Sequence, residues 1–229
     1  MPDDTPPKVV LVTGPPGAGK STALLALDRQ DPDLTRFGVR DYGLQLAATG
    51  HPLGLEMRET LLRQELLSNE LVLLEFMHFL DNLPTGVQVV VVEGYPRDLQ
   101  QCEDLLRAVA GRGIHVTGFV VVNVPDDVAR ERVANRQLCT TCGGTTDDPT
   151  AASCPDCGGG LIRRRDDDTS KFELRLADYH VVSGKLRAYF AERELLREVD
   201  GTRPSHEVRE SLSQVLSAEH DTELADVNR

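Results

Sequence analysis

The sequence predicts an α/β protein with a P-loop NTPase fold: a parallel sheet flanked by helices, with a phosphate-binding loop at the end of its first strand. Three observations carry this. Val9-Val10-Leu11-Val12 runs into Thr13-Gly14-Pro15-Pro16-Gly17-Ala18-Gly19-Lys20-Ser21-Thr22, an apolar strand emptying into a glycine-rich turn. Further apolar runs at 87–92, 116–122 and 195–199 are separated by stretches of helical spacing, the pattern of right-handed parallel crossovers. Glu93-Gly94-Tyr95-Pro96-Arg97 follows one of those runs as Gly14 follows another, which puts two polar clusters on one rim of the sheet.

The loop comes first in the chain. Gly14, Gly17 and Gly19 let backbone N–H groups curl around a phosphate with no Cβ in the way, and Ala18 adds little bulk. The helix that follows points its positive end at the same place. Lys20 brings a mobile charge for the outer phosphates, and Ser21 and Thr22 bring hydroxyls, Ser21 for Mg²⁺.

Along the rest of the chain, residues 1–7 read as a disordered leader. A strand is expected over 8–13, a helix over 21–29, a short strand over 34–39 and a helix over 41–49. His51-Pro52-Leu53-Gly54 reads as a turn. From Leu55 to Leu80 apolar residues recur at three and four, giving one or two amphipathic helices with Ser68 capping the second. A strand over 87–92, a helix over 99–110, a strand over 116–122 and an arginine-rich helix over 127–138 follow. A helix over 170–192, a strand over 195–199 and a helix over 205–216 close the chain, and residues 218–229 read as a frayed tail.

Composition narrows the partners. The 229 residues carry 37 acidic against 25 basic side chains, a net charge of −12. Such a chain is a poor general binder of nucleic acid or anionic membrane, so a phosphate-bearing substrate must be captured by local arginines. No apolar run approaches the ~18 residues that span a bilayer. With no basic start or apolar stretch at residues 1–7, a cytoplasmic location is expected.

Residues 139–168 change character. Cys139-x2-Cys142 and Cys154-x2-Cys157 are two pairs, each suited to one side of a tetrahedral zinc, and glycines follow both. Four thiolates make a closed, structural site. Four free thiols, or disulfides, are the alternatives, as is a zinc ribbon that binds a partner. Cys102 stands alone in a helix and reads as packing.

Arginine placement narrows the activity. Arg97 ends a strand turn, Arg132 and Arg136 are spaced to share a helix face before the cysteines, and Arg164 and Arg175 follow them. Guanidinium groups so placed suit a phosphoryl group in transfer. Arg130, Arg163 and Arg165 read instead as a solvated basic face. Together these residues resemble the adenylate kinase family, in its zinc-bearing long-lid branch, from about 9 to 216. Gly-Pro-Pro-Gly-Ala-Gly-Lys at 14–20 is similar to its phosphate loop, Glu93-Gly94-Tyr95-Pro96-Arg97 with Gln101 to its Asp-Gly-Phe-Pro-Arg signature and base-reading glutamine, and Arg132-x3-Arg136 and Arg164-x-Asp166-Asp167 with Arg175 to the ends of its lid.

The resemblance implies a five-stranded core over 8–36, 84–135 and 169–217, a helical acceptor-binding insert over 37–80 and a zinc-bearing lid over 136–168. It implies ATP–Mg²⁺ as donor, a nucleoside monophosphate as acceptor, and a monomer. Lys20, Arg97, Arg136, Arg164 and Arg175 would surround the transferred phosphoryl group and Arg132 would stack on the donor adenine. Ser21 and Glu93 would hold Mg²⁺, partly through water, and Asp41, Gly94, Arg97 and Gln101 would bind the acceptor. Four positions depart from the family: Ser21 stands where it usually has glycine, Glu93 stands for its aspartate, and two lie at the acceptor. The family's base-contacting threonine is Val39 and its phosphate-gripping arginine is Leu44, so Arg40 or Arg58 is expected to take over the grip. An unusual monophosphorylated acceptor, or an ATPase or switch without phosphotransfer, are the alternative functions.

Overall fold

The computed structural model describes residues 6–63, 65–155, 157–163 and 168–221. Five strands form one parallel sheet: β1 (Lys8–Thr13), β2 (Leu34–Gly38), β3 (Val89–Glu93), β4 (Val116–Asn123) and, last in the chain, a strand over Leu196–Asp200. Three short strands come between: β5 (Gln137–Cys139), β6 (Thr145–Thr146) and β7 (Leu161–Arg163), which makes the last strand β8. The large sheet runs β2-β3-β1-β4-β8, with β1 at its centre. The small one is antiparallel, in the order β6-β5-β7.

The β-branched runs are what burial on both faces demands. Val9, Leu11, Val90, Val92, Phe119 and Val121 face one core, and Val10, Val12, Val89, Val91, Val120 and Val122 the other. The first core is closed by helices α4 (Asn69–Asp81), α5 (Leu99–Ala110) and α7 (Thr169–Ala191), the second by α1 (Lys20–Gln30) and α8 (Ser205–Asp221). Helices α2 (Val39–Ala48), α3 (Pro52–Leu62) and α6 (Asp126–Asn135) complete the set. Each buried valine or leucine is worth about 1.5–3 kcal/mol. The register aligns Val12 and Gly38 with Glu93, so β1, β2 and β3 end together on the rim that carries the phosphate loop.

Several elements fall on their expected spans, among them β1, α5 with Asp98 capping Gln101, and α4 with Ser68 accepting from the Leu71 amide. Other boundaries differ, three of them for identifiable reasons. Val39 opens α2 instead of ending β2, with Gly38 as N-cap. The expected turn at 51–54 is the first turn of α3. Pro52 sits where its missing N–H costs nothing, and His51 Nδ1 accepts from the Leu53 amide. Helix α6 stops at Asn135 and does not reach Leu138, because Gln137–Cys139 pairs with two other segments of the small sheet. Arg136 is therefore extended, and Arg132 and Arg136 do not share a helix face. Helix α8 continues five residues beyond 216 to Asp221.

One buried carboxyl has a consequence for stability. Glu75 of α4 is only 1% exposed, and neither of its oxygens meets a hydrogen-bond partner among the described residues. Burial pushes it up to about 8. The folded state thus keeps a proton that the unfolded chain releases above its ordinary carboxylate value. Stability contributed by the neutral form is lost as pH rises toward 8. Glu75→Leu is expected to stabilise the protein by about 1–3 kcal/mol at pH 7, and by less at pH 5. Urea midpoints at the two pH values check this, and an equal gain at both refutes it.

Candidate active site

The loop after β1 shows why its glycines are needed. Gly17 has φ +87, and a Cβ there would lie 2.7 Å from the Ala129 carbonyl oxygen. Gly19, at φ +84, caps α1 with no side-chain bond to the helix amides, which leaves the helix N-terminus open toward a phosphate. Lys20 folds back over the loop, where Nζ donates to the Gly14 carbonyl at 2.7 Å and the Pro15 carbonyl at 2.9 Å. Burial lowers this ammonium to about 8. Glu93 works against that, and the charges of Arg136, Arg97 and Arg175 reinforce it. Three of the predicted arginines thus act on Lys20 from separate segments of the chain. Arg164, with Asp166, Asp167 and Arg165, lies outside the described residues.

Glu93 closes β3 and is the hub of the rim. Its Oε1 accepts from Ser21 Oγ at 2.5 Å, so the two residues expected at Mg²⁺ touch each other. Serine and carboxylate oxygens at the foot of a phosphate loop form a donor set suited to a hydrated Mg²⁺. Oε2 accepts from Arg36 Nε at 2.6 Å and lies 2.5 Å from Nη2. Arg36 Nη1 also reaches Asp41 Oδ2 at 2.8 Å.

Just past β3, Arg97 Nε donates to the Gly94 carbonyl at 3.1 Å, and its backbone amide donates to Gln101 Oε1 at 2.7 Å. Gln101 Nε2 donates to Asn69 Oδ1 at 2.6 Å. Arg97, Gly94 and Gln101 therefore form one cluster. Asp41 lies apart from it on α2, in its pair with Arg36. Arg40 and Arg58 are exposed on α2 and α3, and Leu44 is 41% exposed. Arg36 and Asn69 were not predicted. The available signal for Arg36 was a cation inside the short strand Leu34-Thr35-Arg36-Phe37-Gly38.

On α6, Arg132 Nη1 donates to the Gly201 carbonyl at 2.7 Å and Nη2 to the Thr202 carbonyl at 3.3 Å, which pins its guanidinium to the turn after β8. Thr22 Oγ1 lies 2.7 Å from Thr145 Oγ1, and Arg29 Nη2 donates to the Cys142 carbonyl at 2.5 Å. The cysteine segment thus rests on α1. Arg130 pairs with Glu173, and Arg163 donates to the Ala134 carbonyl. A cavity of about 500 Å³ between Pro15, Asn123, Tyr179 and Thr202 includes none of the predicted site residues.

The four cysteines converge. Their Sγ atoms all lie within 4.8 Å of one another, with Cys139–Cys157 at 3.5 Å and Cys142–Cys154 at 3.6 Å. Sulfurs about 2.3 Å from a tetrahedral Zn²⁺ would be about 3.8 Å apart, so the set fits that ion. A metal needs thiolates, and the amides of Cys142 and Thr141 donate to the Cys139 sulfur, which favours that form. Metal analysis is expected to give one zinc per chain, and chelation is expected to lower the melting temperature. Protein purified without chelator and free of zinc rules the site out.

No family model matches the chain. Among known proteins it is similar to the adenylate kinase of Carboxydothermus hydrogenoformans, with 30% identity over 212 residues covering 90% of this chain and 98% of the relative. The adenylate kinase of Symbiobacterium thermophilum is 28% identical over 91% of this chain and 98% of its own length. That of Novosphingobium aromaticivorans is 28% identical over 91% and 99%.

Proposed function

The chain belongs to the adenylate kinase family, and from that premise we propose that it transfers the γ-phosphoryl group of ATP–Mg²⁺ to a nucleoside monophosphate through an acceptor site whose phosphate grip has been rebuilt. It is a phosphotransferase with a nucleoside monophosphate acceptor. The observation that carries the finer reading is the convergence on Lys20 of Glu93, Arg136, Arg97 and Arg175. Such a set does not bond to the phosphoryl group. It positions donor and acceptor in line and stabilises the charge that spreads over the equatorial oxygens.

In this reading the open N-terminus of α1 and Lys20 hold the donor phosphates, Arg132 packs on the donor base, and Glu93 with Ser21 holds the magnesium water shell. Arg97 takes the acceptor phosphate and Gln101 the acceptor base. The chain divides, on this reading, into a core, an acceptor insert over 37–80 and a cysteine lid over 136–168. Closure of the lid excludes water and so prevents ATP hydrolysis. The enzyme works as a monomer on small phosphorylated molecules, not on nucleic acid or membranes. Among the described residues no helix is long and apolar enough to cross a membrane.

ADP formation from ATP–Mg²⁺ with AMP, dAMP, CMP, UMP and GMP in turn, against a blank without acceptor, tests this. AMP is expected to support turnover well above the blank. Val39 and exposed Leu44 favour the second reading, an unusual monophosphorylated acceptor. Silence across the panel with ATP still bound selects it, and steady hydrolysis without acceptor selects an ATPase.

A further inference from the structure

We propose that Arg36, and neither Arg40 nor Arg58, grips the acceptor's phosphate in place of the arginine missing at position 44. The proposal rests on the kinase reading above. It starts from the position of the guanidinium, which bridges the carboxylate expected at magnesium and a carboxylate in the first turn of α2. Arg36 is thus the cation at the seam between the two halves of the site. Arg97 reaches the same turn through the carbonyl of Gly94, the residue next to Glu93. Two guanidinium groups are thus bonded to neighbouring residues at the end of β3, Arg36 to Glu93 and Arg97 to Gly94, and a phosphate held between them would be gripped from two sides.

Capacity and exchange favour the same assignment. A guanidinium has five N–H donors. The contacts to Glu93 and Asp41 engage Nε, Nη2 and Nη1 once each, which leaves two for a further anion. The Arg36 side chain is 7% exposed, but Asp41 is 53% exposed, so the seam opens toward solvent on the α2 side. A divalent cation bound at Glu93 would repel the guanidinium and weaken its pairing there. The acceptor's phosphate dianion supplies the replacement charge. Gly38 permits this placement, since a Cβ there would lie 2.6 Å from Arg36 Nη2.

Binding of AMP and of adenosine, measured calorimetrically without donor, separates a phosphate grip from a structural strut. Arg36→Ala is expected to weaken AMP binding by about tenfold or more while adenosine changes by less than about twofold. The loss is expected to exceed that of Arg40→Ala or Arg58→Ala. Gly38→Ala, which displaces the guanidinium but keeps its charge, and Arg36→Lys, which loses the fork, are expected to lose part of the AMP affinity, and they carry the test if Arg36→Ala does not fold. Equal losses for AMP and adenosine, or none, overturn the proposal. If the wild type phosphorylates no monophosphate in the panel, it is the reading of the acceptor that falls. Arg36 is then judged with inorganic phosphate added to the ATP-loaded protein. A shift of the Arg36 Nε–H resonance supports it, and no shift overturns it.

Discussion

Arg97→Ala is expected to lower the turnover number by about 10³-fold, the scale on which an arginine stabilises a phosphoryl group in transfer. Its side chain donates to the Gly94 carbonyl and its backbone amide to Gln101 Oε1, the two residues proposed to bind the acceptor. Affinity for ATP in the absence of acceptor is therefore expected to stay within about twofold. Arg97→Lys keeps the charge but not the planar fork, so only part of the rate is expected to return. Steady-state ADP formation together with calorimetric ATP binding decides the matter. Turnover close to wild type removes Arg97 from the reaction. A collapse of ATP binding makes it a support of the donor site instead.

Replacing Lys20 is the second large effect. Lys20→Ala is expected to cost about 10²–10³-fold in turnover and to weaken ATP binding as well, because the ammonium lies over the glycine-rich loop proposed to hold the donor phosphates. The wild type carries a further signature. Burial and the surrounding arginines lower the free protein's Lys20 to about 8, and the phosphates of a bound nucleotide restore the charge. ATP binding is therefore expected to take up protons as pH passes about 8, and affinity to fall between pH 7 and 9. Calorimetry at pH 8.5 in two buffers of different ionisation enthalpy measures the uptake, and none at that pH refutes the assignment. The same shift acts on folding with a definite sign. The unfolded lysine, at its ordinary 10.5, binds more protons than the folded one, so this group's penalty is relieved as pH rises from about 8 toward 10.5.

Much of this protein could be read in order along the chain. The phosphate loop is a local object: a strand, a turn that needs glycine, and a helix start, all within residues 9–22. The cysteine pairs were legible for a similar reason, since each knuckle is short and its amides bond its own sulfurs, as Thr141 and Cys142 do to Cys139. The two-sided burial of β3 and β4 was legible because uninterrupted valine runs have few other stable uses. The sequence by itself thus determined the fold class, the glycine-rich loop and the cysteine cluster, because in each the information sits within a few residues of where it acts.

The tertiary structure decided what depends on encounters between distant segments. The end of α6 is set by strands from 145–146 and 161–163, which draw Gln137–Cys139 out of a helix that its spacing alone would continue. Gly54 looks like a turn residue but is the point where α3 crosses α2, with room for no Cβ within 2.1 Å of the Ala47 amide nitrogen. Above all, Arg36 came to face Glu93 only when the parallel register set Gly38 and Val12 beside Glu93 and brought the ends of three strands to one rim. The reason is physical: a buried charge is tolerated where opposite charges meet it, and those partners, Glu93 and Asp41, lie 57 and 5 residues away in the chain.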